Sequence, residues 1–147
     1  MENEKDDLLL RIITPDTTSE VAVPMASSRV SAGFPSPAED FLEPSLDLNR
    51  TLVRNPASTF FARVSGESMK DAGIHDGDLL VVDKSIEPYD GCIAVCFLDG
   101  EFTLKRVKTD GRRVVLMPAN DRYRPIEIRP DDEFAVWGVV TYSIQKL

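Results

Sequence analysis

Residues 91–117 read GCIAVCFLDGEFTLKRVKTDGRRVVLM. Asp99-Gly100 sits between Phe97-Leu98 and Glu101-Phe102, and an Asp-Gly step flanked by strand formers is the strongest short-range hairpin signal, because a tight turn needs backbone at positive φ. Asp110-Gly111 does the same job between Thr103 to Lys108 and Arg112 to Met117. Gly91 to Leu98 is a short apolar run bounded by turn residues, as a buried strand should be. The pattern repeats outward from this stretch. Thr59 to Val64 is aromatic and β-branched, Asp78 to Asp83 reads DLLVVD, and Ile126 to Ile128 and Glu133 to Ile144 follow. About seven closely spaced strands, with no long amphipathic helix between them and no internal repeat, predict an antiparallel, all-β domain.

Upstream the chain changes in kind. From Thr14 to Pro44 it is dense in Pro, Ser, Thr and Ala, and prolines at 15, 24, 35, 37 and 44 interrupt any long helix. This predicts an extended N-terminal arm with one helical turn at Ala38 to Leu42, then a short helix from Leu46 to Asn55 with Asp47 as N-cap. Residues 1–45 are therefore assigned to the arm and 46–147 to the β domain. The 147 residues suffice for one core. A net charge of −8 repels a phosphate backbone, so direct nucleic-acid binding is not expected unless basic residues cluster on one face. Met1 to Leu10 (MENEKDDLLL) is acidic and neither a signal peptide nor an anchor, and no apolar run approaches the ~18 residues of a membrane span. Two cysteines in an apolar run are no secreted disulfide framework, which fits a reducing, cytoplasmic setting.

Chemistry is narrowed by elimination. A Ser-His-Asp enzyme needs a histidine, and the single one, His75, lies in GIHDGDLL, where the Asp-Gly step predicts a surface turn. Cys92 and Cys96 fall on one face of an apolar strand, where cysteine acts as a small inert hydrophobe. So few soft ligands do not assemble a zinc site, and Asp76-Gly77-Asp78 lacks the spacing of a calcium loop, so neither metal nor cofactor is expected. Lysine remains as a base, and it serves only when neutral, a state that burial favours by penalising the charge. In Glu101 to Lys108 the two-residue period puts Thr103, Lys105 and Val107 on one face, which gives Lys105 short or apolar neighbours. The same pattern also fits a solvated lysine. Ser68, in Val64-Ser65-Gly66-Glu67-Ser68-Met69, follows a strand and a glycine turn and can present its hydroxyl and its N–H to one carbonyl, as acyl transfer requires. Serine is common in turns, so this signal alone is weak.

Together with what lies around them, the two residues resemble the LexA/UmuD family of Ser-Lys self-cleaving proteins (peptidase family S24). The resemblance runs from about Ser31 to the end. It rests on Ala32-Gly33-Phe34-Pro35-Ser36-Pro37-Ala38, on the Val64 to Met69 stretch, on Asp71, Gly73-Ile74 and Asp76 to Asp83, on Gly100 to Arg106, and on Met117-Pro118-Ala119-Asn120 with Tyr123 and Pro125-Ile126. The spacing, 35 residues from Gly33 to Ser68 and 37 from Ser68 to Lys105, is close to the family's. The resemblance implies a β-clip fold, Ser68 as nucleophile, Lys105 as general base, Ala32-Gly33 as the scissile bond, and the backbone N–H groups of Glu67 and Ser68 as the oxyanion hole. The residue types agree: Ala32 and Gly33 fit a narrow cleft, and Pro35 and Pro37 keep the next segment extended.

A repressor of this family carries a helix-turn-helix domain before its cleavage site. Here 32 residues precede that bond, with Pro15 and Pro24 among them, so the expectation is a branch without a sequence-specific DNA reader. For that branch the resemblance implies a homodimer in SOS mutagenesis. Its cleavage, within or between subunits, is promoted by a RecA filament on single-stranded DNA. Its processed form joins a UmuC-type Y-family polymerase, of the DNA polymerase V kind, in error-prone translesion synthesis. The rival readings are a signal-peptidase-like enzyme, against which the absent membrane segment speaks, a self-cleaving antirepressor or repressor-type regulator lacking a DNA-binding domain, and a non-catalytic interaction module of the same fold.

Overall fold

The structure, a computed structural model, describes residues 9–18, 20, 22–26 and 42–147. Ala32-Gly33 and most of the helical turn expected at Ala38 to Leu42 lie outside the described residues. All strand pairing among the described residues is antiparallel.

The strands in chain order are β1 (Leu9–Ile13), β2 (Ala22–Ala26), β3 (Leu42–Asp47), β4 (Thr59–Ser65), β5 (Leu79–Asp83), β6 (Ile93–Leu98), β7 (Glu101–Thr109), β8 (Val114–Met117), β9 (Ile126–Glu127) and β10 (Phe134–Ile144). Eight of them form one sheet in the order β1-β4-β5-β10-β6-β7-β8-β9, and β2 pairs with β3. The expected all-β domain, with strands at the expected places from Thr59 onward, is what forms.

The two Asp-Gly steps make different turns. At the first, Leu98 pairs with Glu101, and Asp99 and Gly100 have φ of 47° and 87°, the tight two-residue turn with both residues left-handed. At the second, Thr109 pairs with Val114 across a longer loop in which Gly111 takes φ 90°. The Asp110 carboxylate accepts from the N–H groups of Arg113 and Arg112, each at 2.9 Å, and these bonds hold it below the usual carboxylate range.

Two compact units result, one containing β1 and the chain from Ala57 to Leu147, the other running from Asp16 to Pro56. The division departs from the expected boundary at 45 and 46 because Leu9–Ile13, assigned to the arm, is a strand of the large sheet. Leu10 and Ile12 pack on the core while Arg11 is exposed, the alternation of an edge strand. In the second unit the β2–β3 register shifts between Val23 and Met25, where Pro24 has no N–H to donate. The following helix, α1 (Leu48–Leu52), is shorter than the expected Leu46 to Asn55 because β3 continues through Asp47 and the backbone leaves the helical region at Val53. Asp47 caps it as expected, its Oδ1 accepting from Asn49 N–H at 3.0 Å.

Alternation along the strands of the large sheet makes two core layers. Val95 and Leu104 join Ala62, Val64, Met69, Ile74, Leu80 and Val82 in one, while Ala94, Cys96 and Val107 join Cys92, Leu116 and Val139 in the other. β10 lies between β5 and β6 and carries a register shift on each side, at Val140/Tyr142 and at Val136/Gly138. Bulges of this kind bend a strand and increase its twist.

Candidate active site

Three anchors fix the loop after β4. Val64 N–H donates to Asp78 carbonyl at 2.9 Å and Gly77 N–H to Val64 carbonyl at 2.8 Å, which tie the end of β4 to the turn before β5. Gly66, at φ 103°, donates its N–H to Asp76 Oδ1 at 2.9 Å. Beyond Ser68, Met69 is fully buried in the first core layer and opens a 3-10 turn, Lys70–Ala72, that Gly73 closes at φ 79°. The third anchor comes from the chain after β8: Ala119 N–H donates to Ser68 carbonyl at 3.0 Å, Asp71 N–H to Ala119 carbonyl at 2.8 Å, and Asn120 Nδ2 to Glu67 carbonyl at 2.7 Å.

Ser68 is 0% exposed, and its Oγ is the buried side-chain polar atom without a hydrogen-bond partner among the described residues. A buried hydroxyl left unsatisfied costs about 1–3 kcal/mol, and such orphans call for an explanation in function.

Lys105, in the middle of β7, is 1% exposed. It is therefore not the solvated lysine that the same pattern also fits. Ala94 pairs with it directly, Cys96 pairs with the adjacent Thr103, and Val107 is buried on the same face. The Cys96 thiol is pushed up to about 12, by burial first and by Cys92 second, with the Lys105 charge pulling the other way.

Strand register brings the serine loop to the lysine's strand. Arg106, next to Lys105 in sequence, pairs with Met117 at the end of β8, and two residues on, Ala119 binds the Ser68 carbonyl. The same segment borders a cleft of about 310 Å3, lined by Met117, Pro118, Ala119, Asn120, Tyr123 and Pro125 among others.

The residues set aside by elimination stand elsewhere. His75 is half-buried rather than fully exposed. Its Nδ1 lies 3.5 Å from Glu67 Oε2 and its N–H donates to Asp78 Oδ2, so it does not serve the Ser68 hydroxyl. Cys92 and Cys96 are free thiols buried in the second core layer. Asn120 carried no role in the sequence reading. It is 6% exposed, its Oδ1 accepts from Arg122 N–H at 3.0 Å, and its amide reaches 53 positions back to Glu67. Its only sequence signal was membership of the Met117 to Asn120 motif.

Known proteins match the chain along most of its length. The model of the Peptidase S24-like family matches residues 24–141. The protein SamA of Salmonella typhimurium is 42% identical over 139 residues, 95% of this chain and 96% of SamA. The protein MucA of Escherichia coli is 46% identical over 124 residues, 84% of each chain. The LexA repressor of Bordetella avium is 40% identical over 127 residues, 86% of this chain and 59% of the repressor. No helix among the described residues is long and apolar enough to cross a membrane. With most of its length matched by the family model and by such relatives, the chain belongs to the Peptidase S24-like family, the self-cleaving LexA/UmuD family whose motifs its sequence resembles.

Proposed function

We propose that this chain cuts its own backbone between Ala32 and Gly33 with a Ser68-Lys105 pair. The observation that carries the reading is the buried, unpartnered Ser68 hydroxyl on a loop pinned beside the strand of a buried lysine. Ser68 Oγ attacks the Ala32 carbonyl carbon while neutral Lys105 takes the hydroxyl proton. The negative charge that develops on the Ala32 oxygen is met by the N–H groups of Glu67 and Ser68. Collapse breaks the Ala32–Gly33 bond, and Lys105 returns its proton to the departing Gly33 amine. Water, deprotonated by the again neutral Lys105, then cleaves the Ala32 ester, restoring Ser68 and leaving a new carboxylate on residues 1–32.

Asn120 has a positioning part. A trans peptide points its N–H opposite to its C=O, so the amide that holds the Glu67 carbonyl also aims the Ser68 N–H. Hydrogen bonding to that carbonyl further polarises the peptide and strengthens its N–H as a donor.

In the cell we assign the chain to SOS mutagenesis. Self-cleavage is stimulated by RecA on single-stranded DNA, and the processed homodimer serves a UmuC-type translesion polymerase. The support for these partners is the family resemblance.

The test is the first-order rate of self-cleavage of the purified chain, alone across neutral to alkaline pH and with RecA, single-stranded DNA and an ATP analogue at neutral pH. The rate alone rises with pH as the neutral amine becomes more populated, and Lys105→Arg, which stays protonated, is inactive. A pH-independent rate or an active Lys105→Arg chain removes the lysine base. A neutral-pH rate unchanged by RecA removes the assigned activator.

A further inference from the structure

We infer that self-cleavage opens a strand-docking edge on β4 and that this edge takes an extended segment of a partner protein, with apolar residues at two alternate positions and an acidic residue between them. The inference rests on the reading that the chain is cut at Ala32-Gly33. β1 lies upstream of that bond, and it is the last strand of the large sheet on its side. Its five residues pair with β4 from Leu9↔Ser65 to Ile13↔Phe61. Once the chain is cut, nothing covalent ties those five residues to the sheet, and an isolated pairing of that length is marginal in water.

Loss of β1 leaves a row of unpaired N–H and C=O groups along β4, a template for another strand. It also uncovers apolar surface, because Leu10 and Ile12 pack against the layer that holds Ala62 and Val64. β1 itself shows what the edge accepts: a strand in extended register with apolar residues at two alternate positions.

The residue between those two apolar positions is where the native strand fits badly. Arg11 stands directly opposite Arg63, both exposed, and like charges directly opposed across a strand pair are unfavourable. Arg63 turns its guanidinium to Gly77 carbonyl, with Nη1 at 3.0 Å. An acidic residue in the Arg11 place would replace repulsion with attraction. The edge therefore holds its own strand loosely and favours an incoming strand of opposite charge at that position.

The experiment compares two labelled peptides, residues 8–14 as they stand and the same peptide with Glu in the Arg11 position, by fluorescence anisotropy at low salt. Each is titrated into the uncut chain, into the product of its own cleavage, and into uncut Ile12→Asp, which vacates the edge without any cut. The expected result is binding to the cleaved chain and to Ile12→Asp but not to the uncut chain, at least about two-fold tighter for the Glu peptide, with the preference reversed in Arg63→Glu. Hydrogen exchange at β4 amides should speed up in both vacated forms.

Equal binding to the uncut chain, no binding to either vacated form, or a preference that ignores Arg63→Glu overturns the inference. So does a dimer that appears only on vacating the edge and excludes both peptides, which would make the occupant a second copy. If the chain does not cut itself, the cleavage reading fails, while Ile12→Asp still decides whether the edge docks a strand.

Discussion

Burying a lysine side chain and leaving a buried hydroxyl without a hydrogen bond both work against folding, and Lys105 and Ser68 do these two things within one compact unit. Such a pair is expected where function has been kept at the expense of stability. Lys105→Met should abolish self-cleavage, because a thioether cannot take the hydroxyl proton, and an active Lys105→Met chain would contradict the account. Asn120→Asp keeps the shape and the acceptor for Arg122 but puts an acceptor oxygen where an N–H faced the Glu67 carbonyl. Cleavage should slow by about ten-fold or more at a temperature where far-UV circular dichroism shows the variant still fully folded, because a misaimed oxyanion donor costs rate. An unchanged rate would remove the positioning role. Cys96 sets a limit on the alkaline experiments. Its folded thiol is raised to about 12 from an ordinary 9.0, so between those values the folded chain keeps a proton that the unfolded chain releases. The stability contributed is full below pH 9 and drains as pH rises toward 12. Urea midpoints should fall across that window, and less steeply in Cys96→Ala.

At the scale of elements, the strands from Thr59 to Ile144 were legible because each is an apolar or alternating run fenced by turn residues. β1 was not. Leu-Leu-Arg-Ile-Ile is too short for a periodicity between an acidic stretch and a proline-rich one, and it becomes a strand only through β4, some fifty residues away in sequence. The second Asp-Gly step gave the position of a turn but not its length, which Asp110 fixes by accepting from Arg112 and Arg113. Ser68 and Lys105 stand out in the sequence as a candidate pair only through the motifs around them, and the bond from Asn120 to Glu67 has no local signature at all. The bulge at Gly138 depends in the same way on tertiary contact. A Cβ there would lie 2.6 Å from Val82 Cγ1, so Gly138→Ala must shift the Val82 side chain or the backbone of β5 or β10. We expect a loss of about 1–3 kcal/mol, read as a lower urea midpoint by fluorescence of the single tryptophan, Trp137, which packs against Phe60 and Phe102. An unchanged midpoint would mean the contact relaxes freely.

For the molecule as a whole, one covalent event has consequences in both compact units. Residues 1–32 include β1, the edge of the large sheet, and β2, the partner of β3, so a cut at Ala32-Gly33 removes a strand from each sheet. The core of the large sheet is built from residues beyond Ala57 and loses only the cover of Leu10 and Ile12. The processed chain should thus stay folded with a new edge, which makes cleavage a means of changing the surface without rebuilding the fold. All of this depends on where the chain is cut and by which residue. The most direct measurement is the intact mass of the products after the purified chain is held at mildly alkaline pH, below the window in which Cys96 weakens the fold, with Ser68→Ala treated alongside. The account predicts one fragment spanning residues 33–147, beginning at Gly33, and no cleavage in Ser68→Ala. An intact chain, a cut elsewhere, or the same fragment from Ser68→Ala would contradict it.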